Sequence, residues 1–116
     1  MDFTIKNPPM VSTNAFYSGM HWNDRRKIAD VYKGMTHEAL DRAGMLEGGP
    51  FTIMFRVYKN RPYDASNCTV MGKMIEDALK GKIIPDDGVK QVKCVSFMSF
   101  TCSKQEQRIE VEVRLF

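Results

Sequence analysis

The sequence predicts an α+β domain of two layers, a mixed β-sheet packed on two helices in the order βαβαββ. Three observations carry that prediction. Phe51 to Tyr58 and Arg108 to Phe116 alternate apolar residues with others at the period of a half-buried strand. Asp24 to Ala43 and Ser66 to Lys80 repeat apolar residues every three or four positions, the period of a helix with one buried face. The 116 residues suit a single domain spanning 1–116, and at that size roughly two-thirds of the unfolded surface is buried on folding.

Taken in order, Asp2 to Lys6 alternates with Phe3 and Ile5 on one face, and Pro8-Pro9 ends this first strand. A loop rich in Ser, Asn and Gly follows, through Ser12-Thr13-Asn14 and Ser18-Gly19. Asn23 suits the N-cap of the first helix and Gly44 its stop, with Ile28, Val31, Met35, Ala39 and Leu40 as its core face. Gly48-Gly49-Pro50 breaks the chain before the second strand, where Phe51, Ile53, Phe55 and Val57 face one way. The second helix starts at Ser66 or Asn67 and closes at Gly81, with Val70, Met71, Met74, Ile75 and Ala78 as its apolar stripe. Pro85-Asp86-Asp87-Gly88 forms a turn into a strand near Gln91–Phe100. The last strand sets Ile109, Val111, Val113 and Leu115 against Glu110, Glu112 and Arg114.

Composition narrows the function classes. The chain is 43% hydrophobic and 27% charged, ordinary for a water-soluble domain, and no run approaches the ~20 apolar residues of a membrane span. Met1 to Lys6 lacks the pattern of a secretory signal, so a cytoplasmic location is expected. Three cysteines, Cys68, Cys94 and Cys102, without CxxC spacing, disfavour a disulfide framework and a zinc site. The formal charge of +3 permits nucleic-acid binding without demanding it. Placement says more: Arg56 to Lys82 holds six basic residues against three acidic ones, so an anionic ligand should meet the middle of the chain.

Asp64, Asp86 and Asp87 are the acidic positions that stand out, on either side of the second helix. The ends of a helix of ~13 residues lie ~20 Å apart, so Asp64 and Asp87 meet only if the flanking segments bring them back together. Each also has a plain structural use, since Asp64-Ala65-Ser66-Asn67 suits a helix start and Pro85-Asp86-Asp87-Gly88 a turn. Lys73 and Asp77, four apart, sit on the border of the apolar stripe.

The ordered set of motifs resembles the RusA-like family of Holliday junction resolvases. Asp64-Ala65-Ser66-Asn67, then Lys73, Asp77-Ala78-Leu79 and Ile83-Ile84-Pro85-Asp86-Asp87-Gly88 follow the family's Asp-x-Asp-Asn, helix Lys and Asp-Asp turn. Upstream, Ser12-Thr13-Asn14, Tyr17, Gly19, His21-Trp22 and Arg25 look like its N-terminal signature, so the likeness covers roughly residues 8–100. The resemblance implies a homodimeric, Mg²⁺-dependent endonuclease, with Mn²⁺ as a substitute, that cuts four-way DNA junctions in recombination, repair or phage DNA processing. It implies metal ligation by Asp64 and Asp87 with Asp86 beside them. Catalysis would fall to Asp64, Asp87 and Lys73, and DNA contacts to Asn14, Lys59, Arg61, Asn67 and Lys73.

Ser66 stands where the family pattern has its second Asp. A hydroxyl can ligate a hard cation but adds no negative charge. The alternative reading is therefore a DNA-binding or regulatory protein that keeps the fold without cutting. A protein–protein module that never meets DNA is the third.

Overall fold

A computed structural model of the chain describes residues 1–85 and 91–116. Its elements are β1 (Asp2–Lys6), α1 (Thr13–Tyr17), α2 (Trp22–Leu40), β2 (Phe51–Lys59), α3 (Thr69–Leu79), β3 (Val92–Thr101) and β4 (Arg108–Leu115). The architecture is the expected mixed α+β one, with a third, five-residue helix α1 in the segment expected to be a loop. Ser12 starts α1 by accepting a hydrogen bond on its side chain from the Ala15 amide at 3.0 Å.

One four-stranded sheet runs in the order β1-β4-β2-β3. The β1–β4 and β2–β4 pairs are antiparallel, and β2–β3 is parallel. That parallel pair is joined by α3, because parallel neighbours need a long crossover and a helix supplies it. Alternation decides the faces. Phe51, Ile53, Phe55 and Val57 are buried on the helix side, as are Ile109, Val111 and Val113 opposite them. Leu115 departs from this pattern at 65% exposed near the end of the last strand, although its partner Phe51 is buried.

On α3 the expected stripe holds, with Val70, Met71, Met74, Ile75 and Ala78 all buried and Leu79 added to them. Gly72 is the reason this helix lies so close to the sheet. A Cβ there would collide with the ring of Phe97 on β3, a ring that stacks on Phe55 at 5.1 Å between centroids.

The longer helix α2 differs from its expectation at both ends and at one position of its core face, while Ile28, Met35, Ala39 and Leu40 pack on the core as expected. It starts at Trp22, with His21 as cap, whose Nδ1 accepts from the Asn23 amide at 3.1 Å. It ends at Leu40, three and four residues before Ala43 and Gly44, because Asp41 takes a non-helical conformation with a positive φ of 49°. Its buried row is Tyr32, Thr36 and Leu40, whereas Val31 is 44% exposed. Tyr32 is the largest side chain of this face: its ring is fully buried, and its hydroxyl donates to the Pro9 carbonyl at 2.5 Å.

Among the described residues the other face of the sheet carries no helix. A ladder of ion pairs crosses it, with Arg56 between Glu110 at 3.1 Å and Glu112 at 2.5 Å. Arg108 pairs with Glu110 at 2.9 Å, and Arg114 links Glu112 at 3.2 Å to Asp2 at 2.6 Å.

Candidate functional site

The site grows from the way two helix starts satisfy each other. A helix leaves its first amides without partners inside itself, and polar side chains usually supply acceptors. The residue ahead of α3, Cys68, is buried and caps nothing with its side chain. Thr13 does that work from the other end of the sequence. Its Oγ1 accepts from the Val70 amide at 3.0 Å and lies 3.0 Å from Thr69 Oγ1 and 3.2 Å from the Asn67 carbonyl. In return, Asn67 Oδ1 accepts from the Asn14 amide, in the first turn of α1, at 3.1 Å. Each segment caps the other's helix.

This reciprocal capping brings Asn14 against Asn67, and so beside the short 3₁₀ turn Ala65–Cys68 that Asp64 opens. Asp64 is exposed, and its carboxylate makes no capping hydrogen bond; its backbone carbonyl accepts from the Asn67 amide at 2.8 Å. Ser66 is exposed two residues on, and its carbonyl accepts from Thr69 Oγ1 at 3.1 Å. One turn into α3, Lys73 points to solvent and pairs with Asp77 at 2.7 Å. The hydrogen bond to Asp77 raises the Lys73 ammonium above its ordinary value, with burial opposing and Glu76 and Tyr17 adding smaller contributions.

The sequence-derived candidates separate here. Asn14, Asp64, Asn67 and Lys73 gather around the head of α3, and Arg61 is exposed on the loop leading to it. Lys59, expected at a DNA surface, is instead only 7% exposed. It lies on the helix side of β2 with Nζ 3.8 Å from the centroid of the Tyr63 ring. The alternation that buries Val57 also buries Lys59, and the cation–π contact offsets part of its lost hydration. Asp86 and Asp87 fall outside the described residues. Thr13 is a residue whose role the sequence does not signal beyond its place inside Ser12-Thr13-Asn14.

Among the described residues, no group of three or more His, Cys, Asp or Glu side chains is placed to hold a metal ion. The donors near the head of α3 nevertheless fit a hard cation in kind. Asp64 offers an exposed carboxylate that makes no capping bond, and Ser66 an exposed hydroxyl, and Mg²⁺ takes one or two carboxylates while keeping several waters. Cys68 adds nothing to such a site: burial pushes its thiol up and keeps it protonated. Among the described residues no helix is long and apolar enough to cross a membrane. Comparison of the chain with protein-family models, curated proteins and solved structures produced no match.

Proposed function

We propose that this chain is a Mg²⁺-dependent endonuclease of the RusA-like kind, acting on branched DNA as a homodimer. The observation that supports the reading is the reciprocal capping of Thr13–Asn14 with Asn67–Val70. It joins the two halves of the family-like pattern, 53 residues apart in sequence at Asn14 and Asn67, next to an exposed carboxylate.

In this reading Asp64 and Asp87, with Asp86, hold the cation, and Asn14, Arg61 and Asn67 contact DNA. Mg²⁺, when bound, neutralises charge that develops on the phosphate under attack. Lys73 stands as a fixed positive charge on the same end of α3, and exchanges Asp77 for the phosphate when DNA arrives. Asn67 keeps its side-chain NH₂ for DNA, because its oxygen is committed to the Asn14 amide. A twofold dimer suits a four-way junction, which offers two equivalent strands.

A second reading, binding to branched DNA without cleavage, is favoured by Ser66, where a carboxylate would have strengthened cation binding. One experiment separates the two. A labelled four-way junction is incubated with the protein in Mg²⁺, in Mn²⁺ or in chelator. Paired nicks that need the cation and vanish in Asp87→Asn support the nuclease. A shifted band without nicks in either cation supports the second reading. The absence of any shift at low salt overturns both, since phosphate contacts are strongest there.

A further inference from the structure

Beyond the head of α3, the far end of the same helix borders a cleft of about 570 Å³ against α2. Its charged lining comes from Lys33 and His37 on α2, Asp77 on α3, and Lys80 and Lys82 just after α3. We propose that this cleft receives a phosphate of the nucleic-acid strand whose neighbouring phosphates lie at Asp64 and Lys73. The inference rests on the nucleic-acid reading above and extends it to a second contact.

The charge balance of the lining favours an anion. Among the described residues three lysines face one carboxylate, and that carboxylate, Asp77, is already paired with Lys73 at 2.7 Å. Lys80 reaches Glu76 only at 3.8 Å. Lys33 and Lys82 form no ion pair among the described residues, although both line the cleft. Unpaired lysines converging on a concave surface raise the local potential more than the same charges spread on a convex one.

The walls are held in place by side-chain and backbone bonds. His37 Nε2 lies 2.9 Å from the Ala78 carbonyl; a carbonyl can only accept, so Nε2 carries the proton and ties α2 to α3. The Leu79 carbonyl at the end of α3 accepts from the amides of Lys82, Ile83 and Ile84 at 3.1, 3.0 and 3.1 Å. With that carbonyl engaged, the end of the helix presents less bare negative charge to an incoming phosphate.

Position along α3 selects a polymer over a small anion. Lys80 follows Lys73 by seven residues, about 10 Å of helix rise. Successive phosphates of one duplex strand rise ~3.4 Å along the axis but lie further apart in space because the strand winds round it, so roughly one or two nucleotides separate the two contacts. One strand can therefore run beside α3 and meet both.

The test is the salt dependence of binding to a four-way junction and to a linear duplex, by the full chain and by Lys33→Gln/Lys82→Gln. Both residues lie at the surface or partly so, and urea melts check that the variant folds; Lys104→Gln, exposed and remote from the cleft, is the control. Each lost phosphate contact lowers the slope of log K against log salt by about 0.9. A slope reduced by about 1 to 2 on both DNAs, with Lys104→Gln unchanged, is expected. A slope equal to that of the parent chain overturns the cleft while leaving the nucleic-acid reading intact. Failure of the parent chain to bind either DNA overturns both. Inorganic phosphate, titrated in parallel by NMR, distinguishes the source. Shifts at Lys33 and Lys82 with phosphate alone, together with an unchanged DNA slope, assign the cleft to a free phosphoryl anion and overturn the strand contact.

Discussion

The Asn14 amide donates to the side-chain oxygen of Asn67 at 3.1 Å across 53 positions of sequence. With Thr13 bonded to the Val70 amide at 3.0 Å, it makes a two-way clasp between a short helix and the start of a buried one. The clasp keeps the Asn14 segment beside Asp64, and four expectations follow from it, from α3 and from the open face of the sheet.

Thr13→Val keeps the shape of the side chain and deletes the acceptor for Val70. Loss of such a cap costs about 1 kcal/mol, and the urea midpoint of the variant should fall accordingly. Thr13→Ser should recover most of the loss. If Val and Ser variants melt alike, the bond to Val70 contributes nothing to stability.

Asp77→Asn removes the carboxylate that holds Lys73 at 2.7 Å. The pair is more than half exposed on both sides, so stability should change by no more than about 0.5 kcal/mol. Lys73 then loses that partner, and the adjoining cleft loses the one acid it has among the described residues, so DNA binding at low salt should tighten several-fold. Lys73→Gln should weaken it. Equal affinities for Asp77→Asn and the parent chain would show that Lys73 does not meet phosphate.

Glycine to alanine inside a helix normally stabilises by up to about 1 kcal/mol. Gly72→Ala should do the opposite, destabilising by about 1–3 kcal/mol, because the new methyl enters the ring of Phe97 and comes within 3.1 Å of Phe55. Thermal melts of Gly72→Ala and Gly34→Ala make the comparison, since a Cβ at Gly34 meets nothing within 4 Å. Gly34→Ala should be neutral or stabilising.

Acid should loosen the open face of the sheet. The hydrogen bond from Arg108 holds the Glu110 carboxyl below the ordinary glutamate range, with burial opposing and Arg56 assisting. A folded-state value lowered in this way stabilises the protein fully above the unfolded value, near ~4.3. That stabilisation is lost as pH falls from there through the lowered value. Urea midpoints measured from pH 6 downwards should therefore fall less steeply for Glu110→Gln, which should also be the less stable of the two at pH 6. Parallel curves would remove Glu110 from the acid response.

The strands and the stripe of α3 were legible because their signals are local. A period of two marks Phe51, Ile53, Phe55 and Val57, and a period near 3.6 marks Val70, Met71, Met74, Ile75 and Ala78, with nothing distant needed to read either. The mixed sheet and two layers follow from those faces needing cover. The same alternation would have placed Lys59 indoors, had charge not suggested otherwise.

What only the tertiary structure decided depends on partners far along the chain. Tyr32 is buried with its hydroxyl on the Pro9 carbonyl, 23 positions away. Gly72 matters because Phe97 arrives on a strand beyond it, and Thr13 matters because Val70 lies 57 positions on. Periodicity records which side of an element is apolar. It does not record which polar atom from another segment completes an uncapped helix, since that bond forms only after the chain has folded back on itself.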